Sequence, residues 1–133
     1  MALRVLVLGN PWVFREARHF DIRTFVIRIE NDTADLNLPP ALYNAPGLVA
    51  LARESGFEAD AVFVGDESLP PWLYGLEEID IPLVWYAIDS HIHQWHEHYC
   101  AAFDLLLIAQ PTYRELFTPV NRHGEIRFLP LYA

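Results

Sequence analysis

The chain has a single cysteine, Cys100, so no internal disulfide can form. Its opening residues, MALRVLVLG, lack the basic, apolar and small-residue zones of a secretory signal and run straight into a strand-like stretch. The expected location is cytoplasmic. No apolar run approaches the roughly 18 to 20 residues that cross a bilayer, so no membrane span is expected. Basic residues are also scarce, nine against 18 acidic ones, giving a formal net charge of −9. Such a charge repels phosphate backbones and anionic lipid heads, which argues against nucleic acid as a partner. Glycine-rich phosphate loops are missing too. After the first apolar run the chain reads GNPWVFREA, with one glycine where G-x-G-x-x-G needs three, and no G-x-x-x-x-G-K-[ST] occurs anywhere. Nucleotide binding by this chain alone is therefore disfavoured, and no cofactor is expected.

What is present is a core. The 133 residues are 53% hydrophobic and 14% aromatic with only 20% charged, a composition that folds, and the length suits one domain over residues 1 to 133. Near-continuous apolar runs at residues 3 to 8, 24 to 29, 61 to 64, 83 to 88, 105 to 109 and 126 to 131 read as six strands. Between them lie helical signals. Asn44 can cap a helix with Pro46 in its first turn and Gly56 as its stop, a short helical piece is expected over 72 to 78, and a longer helix over 92 to 103. Residues 31 to 43 read as a long loop. Buried strands alternating with helices predict an α/β fold: a single Rossmann-like domain, with a mainly parallel sheet of about six strands and helices on both faces.

Open parallel sheets bind ligands beyond the carboxyl ends of their strands. The polar residues at those ends are therefore the candidates for substrate contact: Gly9 and Asn10, Asp66 and Glu67, Ser90, and Gln110, with Asp89 and His91 in the same turn as Ser90. Four of the six histidines fall within residues 91 to 98. On the expected helix, Ile92, Trp95, Tyr99, Ala102 and Phe103 form the apolar face, and His93, His96 and Glu97 lie on the wet side. His91 or His93 could act as a general base toward a hydroxyl, oriented by Asp89, while the helix start offers free N–H groups to a polar ligand; His96 joins the candidate contacts. A wet helix face carrying a few imidazoles is the plainer alternative. The spacing HQWHEH matches neither H-E-x-x-H nor H-x-x-E-H, so no metal ligands are assigned and a His-rich metal site is the least favoured of the alternatives. Nucleophilic catalysis lacks a motif, since Ser68 and Ser90 sit in no G-x-S-x-G elbow and Cys100 falls beside the apolar face.

Several pieces together carry a family resemblance: VGDESLPP, the W-Y-x-I-D-S-H-x-H-x-W-H block, the strand DLLLIAQ with its following Tyr113, and the late LPL. Over about residues 60 to 131 the chain resembles the N-terminal half of bacterial GT-B-fold glycosyltransferases allied to spore-maturation glycosyltransferases. The resemblance implies two Rossmann-like domains facing across a cleft, the C-terminal one holding the sugar nucleotide and the N-terminal one the acceptor. This chain corresponds to the acceptor half, so transfer would need a donor-binding domain or partner chain. Asp89, His91 and His93 match the positions where a catalytic base would lie, and such enzymes generally need no bound metal. A non-catalytic interaction module, presenting aromatics such as Trp12, Trp72 and Tyr74, is the competing expectation.

Overall fold

The computed structural model describes residues 1–27, 34–65 and 72–131. In chain order the strands are β1 (Leu3–Leu8), β2 (Phe20–Ile27), β3 (Leu36–Leu38), β4 (Tyr43–Asn44), β5 (Ala61–Gly65), β6 (Leu73–Tyr74), β7 (Leu83–Ala87), β8 (Leu105–Ile108) and β9 (Glu125–Phe128). The α-helices are α1 (Ala45–Glu54), α2 (Trp95–Tyr99) and α3 (Arg114–Phe117), supplemented by single 3-10 turns. Seven strands form one sheet in the order β3-β2-β1-β5-β7-β8-β9, every pairing parallel. The chain winds outward from β1 in both directions, so the reversal of strand order lies between β1 and β5. This is a Rossmann-like α/β domain with one strand more in its main sheet than the six expected.

The central strands owe their places to sequences apolar on both faces. Leu6 and Leu8 of β1, Val62 and Val64 of β5, Trp85 and Ala87 of β7, and Leu106 and Ile108 of β8 feed one core. Their neighbours Val5, Val7, Phe63 and Tyr86 feed a smaller one on the opposite face. Helical segments lie on both faces, but unequally. Residues of α1, α2 and α3 join the larger core, whereas the smaller is covered by the 3-10 turn Trp12–Phe14 and by Leu129 and Leu131. At the centre of the larger core Trp85 meets Trp95, His96, Tyr99, Phe103 and Phe117, with ring centroids 4.7 to 6.1 Å away. Truncating so enclosed an indole ordinarily costs about 3 to 5 kcal/mol.

Local chemistry explains where the elements begin and end. Asn44 caps α1, its Oδ1 accepting from the Gly47 N–H at 2.9 Å, and Gly56 ends that segment at φ +93°, as the sequence predicts. Of the short helical piece expected over 72 to 78, only the 3-10 turn Leu76–Glu78 forms. Leu73–Tyr74 instead pairs with Tyr43–Asn44, because Gly75 takes the left-handed conformation at φ +74° and leaves only that turn. The helix expected over 92 to 103 shortens to α2 plus the turn Cys100–Ala102. Two four-residue turns lead into it, Ile92 N–H donating to Asp89 O and His96 N–H to His93 O, each at 3.0 Å. Ile92 consequently leaves the apolar face and stands 62% exposed.

The strand expected over 24 to 29 begins earlier, at Phe20, and residues 28 and 29 lie outside the described residues. Within the stretch expected as a loop, Leu36–Leu38 adds an edge strand to β2. The last strand stops at Phe128 rather than 131. Just before it, the buried Asn121 donates from Nδ2 to Cys100 O at 2.6 Å and Phe103 O at 2.9 Å, while its Oδ1 accepts from Gly124 N–H at 2.9 Å. That one amide ties the end of the α2 region to the approach to β9. No helix among the described residues is long and apolar enough to cross a membrane.

Candidate functional site

Because β7 and β8 are adjacent and parallel, with Ala87 opposite Ile108, the turns that follow them open side by side. The β7 turn carries Asp89, Ser90 and His91; the β8 turn carries Gln110 and the 3-10 segment Pro111–Tyr113. Tyr113 reaches back across the gap. Its hydroxyl lies 2.7 Å from His91 Nδ1, and the two rings run nearly parallel, 19° between planes at 6.2 Å. Tyr113 is a buried residue, while His91 and Gln110 are exposed ones. Burial pushes the Tyr113 hydroxyl above its ordinary pKa, a hydrogen bond from the His91 backbone opposes this, and the charge of Asp89 adds to it. At neutral pH this phenol is therefore protonated.

A second polar pair lies behind the turn. Ser90 Oγ is 3.0 Å from His96 Nδ1, and both residues are buried, His96 completely. The indoles of Trp85 and Trp95 stand edge-on to the His96 ring, with centroids 4.7 and 4.1 Å away. Ser90 and His96, both expected at the substrate, thus support the turn from inside instead of facing solvent. His93, expected as a possible base, also turns inward. Its ring lies against Trp95 and His96, and its Nε2 is buried with no hydrogen-bond partner among the described residues. The wet helix face expected for His93 and His96 is therefore corrected: α2 starts late, so His93 falls in the turn before it against Trp95 and His96, and His96 turns edge-on to Trp85. Of the imidazoles in this block, His98 and His91 remain exposed.

The other candidates fall at a different part of the carboxyl edge. Gly9 has φ +103° and its N–H donates to Phe25 O at 2.9 Å, while Asn10 Oδ1 accepts from Trp12 N–H at 3.0 Å to close the next turn. The Asn10 backbone folds over the end of β5. A Cβ placed on Gly65 would meet Asn10 O at 2.3 Å and Asn10 N at 2.7 Å. At the strand-order reversal, where related architectures seat a phosphate, the Asn10 turn therefore packs directly against the end of β5. Gly9 and Asn10 are not gathered with Asp89, His91 and Gln110, since β5 lies between β1 and β7. Asp66 and Glu67 lie outside the described residues.

Other chemistries gain no support from the geometry. Cys100 is buried, its Sγ donating to Glu97 O at 3.0 Å, and burial pushes the thiol up to about 11, with the Glu97 charge contributing and the Asn121 contact opposing. That environment keeps the sulfur protonated and unreactive. Among the described residues no three His, Cys, Asp or Glu side chains gather as a metal ion would require. Of the aromatics weighed as contact residues, Trp72 and Tyr74 are exposed and Trp12 is half-buried against Tyr86. Tyr113 is the residue that spacing did not single out for the site. Its only local signal is its place just beyond a strand-ending Gln110-Pro111.

Compared with models of known families, with curated proteins and with solved structures, the chain matches none of them.

Proposed function

We propose that this domain binds a hydroxyl-bearing acceptor at the mouth formed by the β7 and β8 turns, as the acceptor half of a glycosyltransferase whose sugar nucleotide is held by another domain or chain. One observation carries the reading: an exposed imidazole, His91, held by Tyr113 beside Asp89 and Gln110 beyond the carboxyl ends of adjacent parallel strands. The resemblance of the D-S-H-x-H-x-W-H block gives that mouth its chemistry. In the proposed transfer, Asp89 and His91 meet the acceptor hydroxyl and one of them receives its proton as the acceptor oxygen bonds to the anomeric carbon, while the sugar's bond to the nucleoside phosphate breaks and the nucleotide stays as leaving group on the donor-binding domain. Gln110 supplies an amide that can both donate to and accept from a polyhydroxylated ligand. The turn after β1, GNPWVFREA, has one glycine where a phosphate-binding G-x-G-x-x-G needs three, which supports leaving the donor nucleotide to a second domain.

Chemical-shift mapping with neutral hydroxyl compounds, such as monosaccharides, disaccharides and serine peptides, tests this. Perturbations are expected at residues 89 to 91 and 110, and His91→Ala should abolish them while leaving the rest of the amide spectrum in place. Perturbations confined to other surfaces, or binding that His91→Ala leaves intact, would sink the proposal.

A further inference from the structure

The contact between Tyr113 and His91 bears on which nitrogen of the exposed imidazole holds the proton. At 2.7 Å the hydrogen bond can run two ways: the phenol donates to a bare Nδ1, or Nδ1–H donates to the phenol oxygen. The chemistry of the two groups separates them. A phenol oxygen shares its lone pair with the ring and accepts weakly, whereas the in-plane lone pair of a neutral imidazole nitrogen accepts strongly. Burial and the nearby Asp89 charge both keep the Tyr113 hydroxyl in its protonated, donating form. The donor is therefore the tyrosine.

We infer that Tyr113 is a positioning residue that locks neutral His91 with its proton on Nε2, so that the exposed edge of the ring meets a ligand as a hydrogen-bond donor. Such an edge selects an oxygen with an available lone pair, a hydroxyl or a carbonyl. The Asp89 carboxylate, near enough to act on Tyr113, disfavours an anion at the same mouth. The ligand class that fits is a neutral polyhydroxylated compound. In this state Nε2 cannot take up a proton, so the base role at the turn moves from His91 to Asp89, and His91 holds the acceptor oxygen in place. The ligand class rests on the acceptor-binding reading; the tautomer does not.

Long-range proton–nitrogen correlation spectra of protein labelled with 15N-histidine read the tautomer directly. They are recorded at about pH 8, above the ordinary imidazole pKa of about 6.5. His91, identified by the signals lost in His91→Gln, should show an unprotonated Nδ1 and a protonated Nε2. Tyr113→Phe should shift Nδ1 toward the averaged position of exchanging tautomers, with the amide spectrum otherwise retained. A wild-type His91 protonated at Nδ1, or nitrogen shifts that Tyr113→Phe leaves unmoved, overturns the inference. These spectra need no acceptor. The tautomer can therefore fail while acceptor binding stands, and acceptor binding can fail while the tautomer stands.

Discussion

Gly65→Ala is the substitution whose cost follows most directly from the geometry. The added methyl would sit 2.3 Å from Asn10 O, and side-chain carbons do not approach backbone closer than 3.0 Å, so the Asn10 turn must retreat by at least 0.7 Å. That turn is not free to move. Gly9 N–H is bonded to Phe25 O at 2.9 Å and Trp12 N–H to Asn10 Oδ1 at 3.0 Å. Overpacking of this kind costs about 1 to 3 kcal/mol, and losing one of the two bonds adds about 1 kcal/mol. The expected loss is thus about 2 to 4 kcal/mol, or a melting temperature lower by roughly 8 to 16 °C for a domain of this size. Circular-dichroism melts with a parallel urea series would measure it. Gly47→Ala is the control, because its methyl in α1 meets nothing closer than 3.4 Å and helix propensity favours alanine by up to about 1 kcal/mol. A Gly65→Ala protein that melts within about 2 °C of wild type would refute the argument that this turn is wedged onto β5.

Two further outcomes follow from burial and charge. With its thiol pushed up to about 11 and its side chain enclosed, Cys100 should resist thiol reagents at neutral pH until the protein unfolds; rapid labelling of native protein would contradict the packing of the α2 region. Arg4 holds Asp60 through its backbone N–H and two guanidinium contacts of 2.9 to 3.2 Å, and these bonds lower the Asp60 pKa from its ordinary 3.8. A depressed folded-state pKa contributes stability above the unfolded value, and that stability is lost as pH falls through the folded one. Asp60→Asn should therefore flatten the acid side of a melting-temperature profile below about pH 4, where an unchanged profile would count against the pair.

Strands buried on both faces were legible because burial leaves its mark on every residue. LRVLVL, AVFV, LVWYAI and LLLIA each read as near-continuous apolar runs and became β1, β5, β7 and β8. The early part of β2 was not, since Asp21 and Arg23 interrupt it as they would a solvated segment. β3 is three residues long and set in a polar stretch, below the length at which alternation means anything. The site divides in the same way. Asp89, His91 and Gln110 could be placed because strand ends have a position in the fold that sequence reveals. His96 could not: counting turns along α2 puts it on the wet side, and only the indole of Trp85, arriving from β7, draws it inward. Tyr113 and His91 are 22 residues apart, and nothing in local spacing says that adjacent parallel strands will bring their following turns together.

Trp85 gives the protein one more property. Its indole and that of Trp95 are separated by 6.1 Å, directly behind the turn that carries Asp89 and His91, with the His96 imidazole edge-on to both. Indole emission depends on its immediate polar neighbours and on excitation exchange with a second indole. Of the two remaining tryptophans, Trp72 is exposed and Trp12 is half-buried against Tyr86. The turn thus sits on an intrinsic optical gauge: any displacement of Ser90 that shifts His96 changes the surroundings of this indole pair, and the fluorescence lifetime records it without a label.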